Sequence, residues 1–195
     1  MKIILGSTSP YKKQLLEEAG FEFVIEDSGL NEEKHHQDTV RDTVQVLAEL
    51  KAKKILKKHP SEDAIIITTD VAGELDGNFL GKPKSVEEAI KMIMSYSGRE
   101  VLIWCGTSIA NARTREIKTQ VVKATVHFNH LEQTTIIDYV HDKNPLDKGC
   151  AIAIEEIEGR GFVKEITGEY AAIIGISMQF VFQQLYELGY EPPEL

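Results

Sequence analysis

Cysteine is nearly absent: Cys105 and Cys150 are the only two in 195 residues, too few and too isolated for a zinc site or a disulfide framework. Both are expected to be reduced, buried thiols. Long apolar runs are missing as well. Stretches such as Ile65-Ile66-Ile67 and Ala171 to Ile174 fall far short of the roughly 20 residues a membrane helix needs. Met1-Lys2 precedes only Ile3-Ile4-Leu5 before Gly6, too short for the apolar region of a signal peptide, so the expected location is the cytoplasm, away from membranes. Positive charge is scarce too: 22 Lys plus Arg stand against 31 Asp plus Glu, for a net charge of −9. No basic run exceeds a pair such as Lys57-Lys58, and the phosphates of duplex DNA or RNA would be repelled. A small anionic ligand is still compatible, because its site needs only a few cations placed locally. With 14 Gly, 6 Pro and 27% charged residues, collagen, coiled-coil and low-complexity classes are excluded.

What is present suits an ordinary globular protein. Hydrophobic residues make up 42% of the chain, and a chain this long buries roughly 70% of the surface exposed on unfolding. Strand-like and helix-like periodicities alternate, which predicts one mixed α/β unit over residues 1–195 without linker or repeat. Residues 2–5 read as a short buried strand. Ser9 stands where it would cap a helix that opens on Pro10 and stops at Gly20, and Phe21, Phe23 and Ile25 alternate as a second strand. A polar loop over 26–38 leads to a helix over 39–58. Residues 64–69 read as a buried strand with Asp70 at its C-terminal end, and Asp76-Gly77 is a hairpin signal. Ser85 and Glu88 form a capping-box pattern for a helix reaching about Tyr96. Residues 100–111 and 116–129 predict two long antiparallel strands, 131–139 a short helix, 150–166 one or two strands, and 177–188 a closing amphipathic helix.

Four features carry chemistry. The strand, small-residue turn and helix from Ile3 to Leu16 make a natural phosphate seat, because unpaired N–H groups at a helix start are partly positive, and Lys12 and Lys13 lie in the first turns. By itself this is weak, since most capped helices bind nothing. Asp70 stands where open α/β sheets place their ligands, and a carboxylate there binds a divalent metal or deprotonates a water. Gly81-Lys82-Pro83 is not a P-loop, for Pro83 replaces the required Ser or Thr, yet it holds a lysine in a restricted turn. Glu32-Glu33, beside His35-His36 in the polar loop, offers carboxylates that would complete a magnesium site with Asp70.

Taken in order, these residues resemble the Maf family of nucleoside triphosphate pyrophosphatases. The resemblance rests on Leu5-Gly6-Ser7-Thr8-Ser9-Pro10 with Tyr11-Lys12-Lys13 and Leu15-Leu16, on Asn31-Glu32, and on Leu47-Ala48-Glu49-Leu50-Lys51-Ala52. It continues through Asp70, Gly81-Lys82-Pro83, Ser97-Gly98-Arg99, Asp147-Lys148 and Ile166-Thr167-Gly168 to Gly175.

The resemblance implies an elongated mixed sheet with flanking helices, in two lobes around a cleft, related to the inosine-triphosphate pyrophosphatases. It implies hydrolysis of a nucleoside triphosphate to the monophosphate and pyrophosphate, dependent on Mg2+ or Mn2+, with a house-cleaning role toward modified nucleotides. In that scheme Asp70 is catalytic, Glu32 and Asp70 hold the metal, and Ser7, Ser9, Lys12, Lys13, Lys51 and Lys82 bind the substrate. A homodimer is an expectation at the family level. The alternative is a nucleotide-binding regulator linked to septum formation. Tyr11-Lys12-Lys13 is similar to the branch associated with 7-methyl-GTP, whereas Asp147-Lys148 is similar to the dTTP and UTP group. Val71-Ala72 and Gly149-Cys150-Ala151-Ile152 depart from the common pattern, which often has Ala-Gly-Ala-Tyr after the late lysine.

Overall fold

The computed structural model describes residues 1–60 and 62–190; residues 61 and 191–195, part of the expected 1–195 unit, lie outside them. In chain order come β1 (Lys2–Leu5), α1 (Pro10–Glu18), β2 (Val24–Ile25), α2 (Val40–Leu56), β3 (Ala64–Leu75), β4 (Asn78–Leu80) and α3 (Val86–Met94). The second half supplies β5 (Glu100–Asn111), β6 (Ile117–Phe128), α4 (Gln133–Lys143), α5 (Ile154–Ile157), β7 (Val163–Thr167), α6 (Tyr170–Ile174) and α7 (Met178–Glu187). One mixed sheet runs β2-β1-β3-β5-β6-β7, with β4 also on β3. β1 is parallel to β2 and β3; the other pairs are antiparallel.

Register, more than any single residue, creates the site. β5 pairs with β3 from Ile65 to Glu74, closing one edge. On the other edge β1 pairs only as far as Ile67, where the Gly6 N–H adds a last bond to the Ile67 carbonyl at 2.7 Å. β4 takes over only at Gly73. Thr68 to Ala72 therefore face no strand on that side, and at about 3.3 Å per residue the opening is about 17 Å long. Asp70 is its midpoint.

Side-chain alternation sends Ile66 to one face, where Ala52, Ile55 and Leu56 of α2 cover it. Ile65 and Ile67 point to the other face. There the apolar residues divide into two cores: Leu16, Phe21, Phe180 and Leu185 near β1, and Tyr96, Tyr139, Phe162 and Leu75 at the far end. The opening lies between them, the arrangement expected of two lobes around a cleft.

Several boundaries differ from the sequence reading. β3 continues past Asp70 to Leu75, so the aspartate is central in its strand; what ends beside it is β1. Only Val24 and Ile25 form β2, opposite Ile4 and Leu5; Phe21 turns into the first core instead of extending the strand. Residues 150–166 contribute one strand and the short α5. Both cysteines are free and buried. No helix among the described residues is long and apolar enough to cross a membrane.

Candidate active site

The two loops singled out by sequence enter the opening from its two ends. At the first, Gly6 leaves β1 so close to β3 that a Cβ there would lie 2.5 Å from Thr68 Cγ2 and 2.6 Å from Ile55 Cδ1. The chain then turns through Ser7 to Ser9, where the Ser9 N–H donates to Ser7 Oγ at 3.3 Å. Ser9 occupies the N-cap of α1, but its hydroxyl makes no capping bond. The first-turn N–H groups of α1 thus lack an intrahelical partner, as an anion seat requires.

At the second end, Asp76 and Gly77, with φ of 53° and 78°, form the two-residue turn that mirror-image hairpin geometry demands. It returns β4 along β3 until Leu80 stands opposite Gly73. Gly81-Lys82 then leaves at the far rim of the opening, with Lys82 exposed and Pro83 buried.

Between the rims lies a charge cluster. Lys51 belongs to the buried stripe of α2 that also carries Val44, Leu47, Ala48, Ala52 and Ile55, a periodicity that aims its ammonium at β3. Lys51 Nζ donates to Asp70 Oδ1 at 2.6 Å and to the Thr69 carbonyl at 3.2 Å. Glu32 Oε1 stands 2.7 Å from the same nitrogen. Glu32 opens a short 3-10 turn over Glu32–His35, and this loop also touches β4, the His36 and Phe79 rings being 4.9 Å apart. Lys12 is buried on the stripe of Leu16, four residues on. It packs so tightly on Gly175 that a Cβ there would lie 2.5 Å from Lys12 Cε. Lys13 points elsewhere and pairs with Glu17 at 3.4 Å in solvent. Of the nominated residues, Asp70, Lys51, Glu32 and Lys12 are brought together, Ser7, Ser9 and Lys82 border them, and Lys13 stands apart.

The cluster's electrostatics follow from its burial. Burial pushes the Asp70 carboxyl above the usual carboxylate range, with Lys51 and Lys12 pulling the other way. For Lys51, burial alone would lower the ammonium, but Asp70 and Glu32 outweigh it and hold it up. Burial lowers Lys12, and the neighbouring Lys51 charge adds to that effect. Two ammonium groups this close favour a polyanion beside them. Both cysteine thiols are pushed up to about 12 by burial, which leaves neither as a nucleophile near neutral pH.

One residue that escaped the sequence reading is Glu156. Glu156 accepts hydrogen bonds from Tyr11 at 3.0 Å and Tyr139 at 3.2 Å, and Lys148 Nζ lies 3.9 Å from its Oε1. This joins the start of α1 to α5 across the cleft. Tyr11 and Glu156 are 145 residues apart, so no local pattern announces the contact. The Thr69 hydroxyl, buried beside Asp70, has no partner among the described residues.

A cation would find few protein ligands. No group of three or more His, Cys, Asp or Glu side chains suited to an ion exists among the described residues. Asp70 and Glu32 each spend one oxygen on Lys51 and leave the other without a partner among them. Two free carboxylate oxygens fit Mg2+ or Mn2+ when substrate phosphates and waters complete the shell.

Known proteins resemble this chain over nearly its whole length. The family model described as Maf-like protein matches residues 2–188. The dTTP/UTP pyrophosphatase of Thermotoga maritima is 35% identical over 97% of this chain and 91% of its own length. That of Acholeplasma laidlawii is 34% identical, over 97% and 98%. The 7-methyl-GTP pyrophosphatase of Pseudomonas aeruginosa is 31% identical, over 98% of each. Among solved structures, the Staphylococcus aureus Ham1 protein is similar over 97% of this chain and 99% of its own at a TM-score of 0.46 and 16% identity. The chain belongs to the family of Maf-like proteins.

Proposed function

We propose that the protein hydrolyses a nucleoside triphosphate to the monophosphate and pyrophosphate at the open edge of β3. The observation that carries this is the buried Asp70, held by Lys51 at 2.6 Å, in the one stretch of β3 that neither β1 nor β4 covers. The relatives are named for pyrophosphatase activity on dTTP/UTP or on 7-methyl-GTP, so the substrate is a triphosphate with a pyrimidine or a 7-methylguanine base. Lys12, Lys51 and Lys82 set three positive charges against the roughly four negative ones of the triphosphate, partly offset by Asp70 and Glu32 on Lys51, so a bound divalent cation would supply the remainder; solvent screens the remote acids of the chain within about 8 to 10 Å. Ser7, Ser9 and the first-turn N–H groups of α1 take phosphate oxygens.

Asp70 Oδ1 is tied to Lys51, and Oδ2 takes a proton from the water that attacks the α-phosphorus. Burial raises its affinity for protons, the direction a general base requires. Asp70 and Glu32 are the residues that would hold a divalent cation, which when bound neutralises charge on the phosphate oxygens. The test is pyrophosphate release from a panel of canonical and methylated nucleoside triphosphates with Mg2+ or Mn2+. The wild type is expected to turn over at least one, and Asp70→Asn to be slowed at least about 100-fold. A fully active Asp70→Asn overturns the chemistry. Binding without turnover across the panel favours a nucleotide-binding regulator instead.

A further inference from the structure

We propose that Tyr96, far from the triphosphate site in sequence, is a positioning residue for Lys82, acting through a strained turn at Cys150. The inference rests on the reading of Lys82 as a phosphate ligand.

Lys82 has neither an ion pair nor a side-chain hydrogen bond among the described residues, so only its backbone fixes where the stem of the side chain starts and which way its Cα–Cβ bond points. Pro83 confines it from one side, because a residue before proline is restricted to extended conformations, and Pro83 itself is buried. From the other side the Gly81 carbonyl accepts a hydrogen bond from the Cys150 N–H at 3.0 Å. That donor sits in an unusual place. Cys150 has φ of 60° and Ala151 φ of 54°, two consecutive non-glycine residues in the left-handed region, a conformation that persists only where surrounding contacts enforce it.

The enforcing contacts are visible. Cys150 Sγ lies in the space left by Gly73, where a Cβ would be 2.2 Å from the sulfur, and Gly73 is the β3 residue opposite Leu80. The Cys150 carbonyl accepts the Tyr96 hydroxyl at 3.0 Å. Tyr96 is fully buried, its ring 5.3 Å from Phe128, and this carbonyl is the only partner of its hydroxyl among the described residues. A phenol is unnecessary for filling that core, since phenylalanine has nearly the same shape. The hydroxyl therefore fixes the turn, the turn fixes Gly81, and Gly81 aims Lys82.

Tyr96→Phe keeps the ring and removes only this bond. Three measurements test the chain of contacts. Exchange of the Cys150 amide hydrogen, which needs no ligand, is expected to speed up at least about tenfold. The kcat/KM for the triphosphate is expected to fall about five- to tenfold, the scale of one buried hydrogen bond, mainly through KM because Lys82 grips phosphate before and during reaction. In a Lys82→Ala background the same substitution should change kcat/KM by less than about twofold, the non-additivity of residues acting through one another. Unchanged Cys150 exchange, or a full-sized effect of Tyr96→Phe without Lys82, overturns the inference. If the wild type hydrolyses no triphosphate, the proposed function fails separately, while amide exchange still decides whether Tyr96 holds the turn.

Discussion

Replacing Lys51 by methionine keeps most of the side-chain volume and removes one ammonium. That group touches Asp70 at 2.6 Å and Glu32 at 2.7 Å. Glu32 is half exposed and rehydrates. The side chains of Lys51 and Asp70 are only 10% and 11% exposed, so water cannot replace the contact that Asp70 loses. Breaking a buried pair from one side costs about 3–5 kcal/mol. Lys12 still attracts Asp70, which places the expected cost near the lower limit, about 3 kcal/mol at pH 8. For a chain of this size about 1 kcal/mol moves Tm by about 2–4 °C, so the variant should melt about 6–12 °C lower.

The pH dependence makes this prediction specific. Burial already raises the Asp70 pKa, and losing Lys51 raises it further. A group that binds its proton more tightly when folded contributes stability that is full below the unfolded pKa and lost as pH climbs through the folded one. The deficit of Lys51→Met should accordingly be smaller at pH 5 than at pH 8. Thermal unfolding of Lys51→Met, Asp70→Asn and the double variant at both pH values checks it. The double variant should melt above Lys51→Met at pH 8, since it leaves no orphaned charge. Equal losses at both pH values without recovery in the double variant would refute the buried, coupled pair.

Gly175→Ala should lower stability by about 1–3 kcal/mol and raise KM, because Gly175 has φ of 118° and its new methyl would meet Lys12 Cε at 2.5 Å; unchanged melting and KM would contradict the packing. Lys13→Ala should shift stability by less than about 0.5 kcal/mol and kcat/KM by less than about twofold, its partner being Glu17 in solvent. A tenfold activity loss would return Lys13 to the site. His59 meets Glu26 at 2.5 Å, while Glu62 lies 3.0 Å from its Nδ1 without the alignment of a hydrogen bond. The hydrogen bond to Glu26 raises His59. Burial would raise Glu26, but His59 and Lys58 prevail and hold it down. The histidine term is full below its unfolded pKa of about 6.5 and fades as pH rises through the folded value. The glutamate term is present above about 4.3 and fades as pH falls. His59→Ala should therefore destabilise most between those limits, by about 1 kcal/mol, and a deficit that grows toward pH 9 in thermal unfolding would contradict the pairing.

The local signals in the sequence were strong where one element suffices to produce them. Asp76-Gly77 forms its turn, Ser85 caps α3, and β5 and β6 pair as read. Lys51 was nominated only through the family resemblance, and the difference between Lys12 and Lys13, both nominated, is one step of helical rotation. What the sequence could not display is where partner strands stop. The end of β1 at Leu5 decides the open edge at Asp70. Gly73 continues β3 and leaves the space that Cys150 Sγ fills. The contacts of Tyr11 with Glu156 and of Tyr96 with Cys150 join segments remote in the chain, and only the folded register brings them together.

The most direct test of the account is a crystal structure with a nucleoside triphosphate analogue that cannot be cleaved between its α- and β-phosphates. The account predicts phosphate oxygens within about 3 Å of Nζ of Lys12, Lys51 and Lys82, and the α-phosphorus beside Asp70 Oδ2. An analogue lodged instead in the hollow lined by Glu74, Asp76, Arg99 and Leu102, with the Thr68 to Ala72 edge vacant, would contradict it.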